Sequence, residues 1–182
     1  AVSGAIARPD RWVGVLRREV EADAYSSSTR IEGFDVDAAR IKPVVFGAEP
    51  VGEAEAALAW YTHAMRHVGA MATDEHFEWN LRAILDLHFD ACAFQSDSSP
   101  GRLRTGPARV VATTGRIAYE APPAPLLFGL MSEFVAQLRG NEELHPLVAG
   151  AMAHLNLVSI HPFADGNGRL SRIFQSLVLA LR

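Results

Sequence analysis
The chain has almost no lysine: of its 17 basic residues, Lys42 alone is one. A catalytic Schiff base or a phosphate-loop lysine would have to rest on Lys42, and its surroundings, "ARIKPVV", hold no glycine-rich loop. The nucleotide pattern GxxxxGK[ST] is therefore absent. Cysteine is as scarce. The lone Cys92 excludes an internal disulfide framework and a cysteine-based zinc knuckle, fits a reducing compartment and reads as a small buried apolar residue. No stretch reaches the roughly 18 apolar residues of a membrane span, and no basic segment followed by an apolar one opens the chain. A soluble, cytoplasmic protein with no membrane partner is expected. The formal net charge of −4 supplies no polycation for gripping nucleic acid by counterion release, so no nucleic-acid partner is expected.

What is present reads as one globular domain. The 182 residues are 49% hydrophobic and 21% charged, which leaves no room for a disordered or fibrous chain. Apolar residues recur at helical spacing: Trp60, Ala64, His67 and Met71, then Phe77, Leu81, Ile84, Leu85, His88 and Cys92, then Leu127, Leu130, Met131, Phe134 and Leu138. Leu147, Val148, Met152, Leu155 and Val158 continue the pattern. Pro125 suits the first turn of its helix, and "NEELHP" punctuates that helix's end. Only "ARVVATTGRIAY", from Ala108 to Tyr119, reads as β, two β-branched runs about a Thr-Gly turn. An isolated hairpin is marginal in water, so this one is expected to lie on the helical body as a flap. His63 and His67 stand four apart on a helix, but without a third ligand nearby they read as core or surface histidines.

The chemistry concentrates in "HPFADGNGRLSR", His161 to Arg172. Pro162 disfavours helix at His161, so one helix should end near Ile160. The loop then carries Asp165, Gly166, Asn167 and Gly168 into a second helix with Leu170, Ile173, Leu177 and Val178 on its buried face. Glycines there let backbone N–H groups converge, and with the helix dipole they make a nest for phosphate oxygens. Arg169 and Arg172, three apart, can lean toward one anion with forks that suit phosphate. Asp165 is a hard oxygen ligand of the kind that holds Mg²⁺ when water and substrate phosphates supply the rest. His161 has the near-neutral pKa of a general base, a role worth roughly 10² to 10⁴ in rate. Phe163, apolar in a polar loop, reads as a core anchor. Singly these are turn or surface features; together they describe a site for a magnesium nucleotide.

This stretch resembles the signature of the Fic domain, His-Pro-Phe-x-[Asp/Glu]-Gly-Asn-Gly-Arg-x-x-Arg, without a departure. The flap, "YEAPP" from Tyr119 to Pro123, and "AHLNLVSIHPF" with its His154 resemble the family's approach to the motif, and the likeness covers about residues 26 to 182. The resemblance implies an all-α fold, a Fic-type helical bundle with a β-hairpin flap over the active site. It implies a helical region over 1–50 and a Fic core over 51–182, with the flap at about 107–119 and the motif at 161–172. It also implies transfer of AMP from ATP to a protein hydroxyl with release of pyrophosphate. Position by position, His161 would be the base and Asp165 the Mg²⁺ ligand. Gly166, Asn167 and Gly168 would form the anion hole with Arg169 nearby, and Arg172 would bind the γ-phosphate. The flap would hold the target protein as an added strand.

"STRIEG", Ser28 to Gly33, is similar to the family's inhibitory motif, [Ser/Thr]-x-x-x-Glu-[Gly/Asn], in the subgroup that carries it before the core. There Glu32 would occupy the place of the γ-phosphate on Arg172, one carboxylate competing with a phosphate for one fork. A bias of about 1 to 3 kcal/mol suffices for strong repression. The plain alternative is a helix end with Gly33 as its left-handed cap. Removal of AMP, transfer of another nucleotide or phosphate-containing group, and a silent nucleotide-binding module stay open as other readings. The family's kinase subgroup carries lysine where this chain has Gly168, which argues against a kinase. Target and oligomeric state, a homo-oligomer included, are not set by the sequence. Arg182 falls inside the helix after the motif, so Phe174, Leu177, Val178 and Leu181 are expected to have few neighbours, and a longer parent protein is expected. The arginine- and alanine-rich, lysine-poor composition suggests a bacterial source.

Overall fold
The computed structural model describes residues 11–182 apart from 113, 141 and 142, and divides into one compact unit up to Ala59 and a second from Trp60 to Arg182. The first unit holds α1 (Arg11–Ile31), α2 (Ala38–Val45) and the start of α3 (Gly52–Ala72). Helix α1 stops because Gly33 takes φ +91°: the N–H of Gly33 donates to the Arg30 carbonyl at 3.0 Å and that of Phe34 to the Thr29 carbonyl at 3.1 Å. That paired closure is a left-handed glycine cap. Asp37 starts α2 by accepting the Ala39 N–H at 2.8 Å. Ala22, Val36, Val44, Val45 and Leu58 form this unit's core. Beside it, Arg40 forks onto Glu55 at 2.9 and 2.7 Å, and that hydrogen bond first, with the Val51 N–H adding to it, pulls the Glu55 carboxyl down to about 2.

The second unit holds the rest of α3, then α4 (Leu81–Cys92), strands β1 (Arg109–Val111) and β2 (Ile117–Glu120), α5 (Leu127–Gly140), α6 (Pro146–Ile160) and α7 (Asn167–Ala180). Asn80 caps α4 by accepting the Ala83 N–H at 2.9 Å, which leaves Phe77 ahead of the helix. Pro125 lies in a 3₁₀ turn that runs directly into α5. The all-α expectation holds, with a hairpin as the described residues' one sheet.

Helix α7 is the axis of this unit, packed on α6 and α4, with Leu170, Ile173, Phe174 and Leu177 wholly buried. Phe174 meets Trp79 and Phe134 at ring distances of 5.3 and 5.6 Å. The expected shortage of neighbours is thus absent for Phe174, Leu177 and Val178, which the other helices cover. Gly150 lets α6 approach α7: a Cβ there would stand 3.2 Å from Leu179 Cγ. In the hairpin, Val110 faces Tyr119 and Arg109 faces Glu120, with a bulge between Val110 and Val111. Every residue of both strands is exposed.

Candidate active site
Helix α6 ends on His161 in the left-handed region, φ +49° and ψ +59°. Pro162 explains why the helix stops there, since proline disfavours the right-handed helical conformation in the residue before it; the left-handed value itself is held by neighbouring contacts. A side chain held there is strained by about 1 kcal/mol or more and persists only where its surroundings fix it. Arg104 does this. Its backbone N–H donates to the Pro162 carbonyl at 2.9 Å and its Nε–H to the His161 carbonyl at 2.7 Å. The His161 ring places Nδ1 3.3 Å from the Val158 carbonyl. A carbonyl only accepts, so this contact assigns the proton to Nδ1 and makes Nε2 the ring's acceptor.

The loop beyond His161 is pinned from inside. Phe163 is fully buried and stacks on His88, ring centres 3.6 Å apart and 7° from parallel. The buried Asn167 side chain accepts the Phe163 N–H at 3.0 Å and donates to the Phe163 carbonyl at 2.9 Å. Gly101 donates its N–H to His88 Nδ1 at 2.8 Å, so Nε2 carries the ring proton and donates to the Asp165 carbonyl at 3.0 Å. Burial, with the Arg169 cation adding to it, holds His88 down at about 4 against the pull of Asp165, so the ring is neutral at pH 7. Gly166 has φ +74° and sits against α4: a Cβ there would stand 2.3 Å from Cys92 Sγ. No other residue type fits both demands.

Asp165 stands at the mouth of this loop with its side chain half exposed. One oxygen accepts the Gly166 N–H at 2.7 Å and the other lies 3.4 Å from Arg169 Nη2. A single exposed carboxylate suits Mg²⁺, which keeps most of its waters and takes further oxygens from phosphates. Among the described residues no group of three His, Cys, Asp or Glu side chains is arranged to hold a metal. His63 and His67 do not make one either, although the structure supplies the neighbour the sequence reading missed: Asp90 lies 3.6 Å from His63 Nε2 and 2.6 Å from His67 Nδ1. Helix α7 begins on Gly166, which has no side chain to cap the first-turn amides.

The expectation that Arg169 and Arg172 lean toward one anion needs correction. Arg169 is only 1% exposed and turns to the end of α4, its Nη1 3.4 Å from the Ala91 carbonyl, its Nη2–H donating to Gln95 Oε1 just beyond the helix at 2.8 Å, and its guanidinium lying over the Phe94 ring. It braces the loop and Asp165 from behind; Arg172, one helical turn on, stays partly exposed. Glu32 and its neighbours Ser28 and Gly33 lie at the end of α1 in the first unit, where the local geometry is that of a glycine-capped helix end.

The flap is tied to the same corner. Arg104, 7% exposed, donates Nη1–H to the Gly106 carbonyl at 2.7 Å and Nη2–H to the Pro122 carbonyl at 2.6 Å, one at each root of the hairpin. Burial lowers the Arg104 pKa from its ordinary value, yet a guanidinium stays protonated. Tyr119 donates its hydroxyl to the Ser159 carbonyl at 2.6 Å. Between flap and loop opens a cleft of about 540 Å³, walled by His161, Ala164, Arg102 and Arg109.

Residues 78–179 match the model of the Fic/DOC family, more than half of the chain and all of the loop just described. The chain belongs to the Fic/DOC family. Curated relatives named protein adenylyltransferase Fic include that of Culex quinquefasciatus, 32% identical over 119 residues, and that of Drosophila grimshawi, 34% identical over 119 residues. Each match takes in 64% of this chain, which spans 22% and 23% of those relatives' lengths. Among solved structures, a Fic domain containing signaling protein from Bacteroides thetaiotaomicron shares the fold at a TM-score of 0.80 and 19% identity, over 92% of this chain and 65% of that one. A Fic family protein from Desulfovibrio desulfuricans G20 follows at 0.71 and 27%, over 89% and 48%.

Within this Fic domain the motif was legible and its supports were not. His88 read as one more position of a helical stripe, and Arg104 was not singled out. The signal for His88 was a polar residue on an otherwise apolar face; for Arg104 the sequence carries none.

Proposed function
We propose that this Fic domain transfers AMP from magnesium-bound ATP to a hydroxyl side chain of a target protein. The observation that carries the reading is the acceptor nitrogen of His161, placed on the strained turn that leads into the uncapped start of α7. Nε2 of His161 takes the proton as the hydroxyl oxygen attacks the α-phosphorus; the bond to the β-phosphate bridge breaks and pyrophosphate leaves. The amides of Asn167 and Gly168 receive the charge that builds on the phosphate oxygens, the Gly166 N–H being held instead by the Asp165 carboxylate, and Arg172 binds the γ-phosphate. Magnesium, when bound at Asp165, neutralises phosphate charge. The exposed flap offers its backbone to a segment of the target.

We propose further that Glu32 represses this reaction by taking the γ-phosphate's place on Arg172. The test is to incubate the chain, Glu32→Gly, and Glu32→Gly with His161→Ala, with Mg²⁺ and ATP labelled on the α-phosphate. Strong labelling of protein by Glu32→Gly, weak labelling by the unaltered chain, and a loss of roughly 10² to 10⁴ on adding His161→Ala are expected. Equal labelling with and without Glu32 would refute the repression; ATP binding with no label in any variant would refute the transfer.

A further inference from the structure
We propose that Arg104 is a positioning residue for the transfer reaction, fixing the His161 backbone and both roots of the flap as one rigid corner. The inference rests on the proposed transfer. Three carbonyls surround the guanidinium at 2.6–2.7 Å, those of Gly106, Pro122 and His161. They come from the segment that enters the flap, the segment that leaves it and the end of α6. A planar fork with donors in fixed directions meets all three only while all three segments are in place. The same residue's backbone holds Pro162, so the left-handed turn at His161 is gripped from both sides of its peptide. A flap displaced by an ångström would lengthen these bonds and loosen the turn that aims the imidazole. A target strand seated on the flap would, through Arg104, also hold the base in register.

Lysine keeps the charge but has one short-reaching donor atom, so Arg104→Lys separates charge from geometry. In the Glu32→Gly background, Arg104→Lys and Arg104→Ala are expected to lower kcat about 10²-fold, the cost of a reacting group misplaced by roughly 1 Å. Affinity for a non-hydrolysable ATP analogue with Mg²⁺, measured by calorimetry, should be unchanged, and ethylguanidinium should partly restore Arg104→Ala. Two further readouts need no turnover: the ¹⁵N shifts of the His161 ring, and amide exchange of residues 109–120 in the full chain. Both should move in Arg104→Lys, ring and flap together. Unchanged kcat in Arg104→Lys, or nucleotide affinity falling as far as kcat, would overturn the proposal. If the Glu32→Gly protein transfers no label at all, the proposed reaction fails, and the ring and exchange measurements still decide for or against the coupling of flap and His161.

Discussion
Gly166 carries two constraints that no side chain satisfies at once. Its φ of +74° disfavours any residue with a Cβ, and that Cβ would fall 2.3 Å from the sulfur of Cys92. Gly166→Ala is therefore expected to destabilise the fold by about 2–4 kcal/mol, strain and overpacking together. Denaturant unfolding measures it, and the double variant with Cys92→Ala should recover the packing part but not the backbone part. Equal stability of Gly166→Ala and the unaltered chain would mean that the loop does not press on α4. Asn167 shows the same economy of role: the anion-hole reading uses its backbone N–H, while its side chain is spent on closing the loop at Phe163. A sequence pattern records such a residue without telling which of the two tasks requires it.

Among the elements, the flap depends most on a few contacts. Both strands are exposed throughout, and a two-stranded sheet without a buried face is marginal by itself. Its position comes from Arg104 at the roots and from the Tyr119 hydroxyl on the Ser159 carbonyl. Tyr119→Phe should speed amide exchange across residues 109–120 while costing only about 0.5–1.5 kcal/mol of global stability. Exchange that stays unchanged would place the flap's anchorage elsewhere. Element boundaries were largely legible because their causes are local. Pro162 ends α6 at Ile160, and a Thr-Gly pair turns the hairpin. Two local details were missed, since Phe77 lies ahead of α4 and Pro125 sits in a 3₁₀ turn.

At the scale of the whole molecule, His88 makes stability depend on pH. The unfolded imidazole takes a proton near its ordinary value of 6.5, whereas the folded one resists until about 4. Between those values the unfolded chain binds more protons, so stability present above pH 6.5 is lost as the pH falls toward 4. The loss amounts to about 3 kcal/mol for this one group. Urea unfolding at pH 7, 5.5 and 4.5 checks it, with His88→Phe as the variant whose curve should be flatter. The sequence by itself determined the helical class, the hairpin, and the order of histidine, carboxylate, glycines and arginine in one loop, because spacing along the chain fixes each. Only the tertiary structure decided that Arg169 turns inward to α4, that His88 reaches Asp165 across 77 positions, and that Arg104 reaches His161 across 57. Those partners are chosen by how helices and flap pack, and a buried polar group takes whichever partner the packing brings within hydrogen-bonding distance.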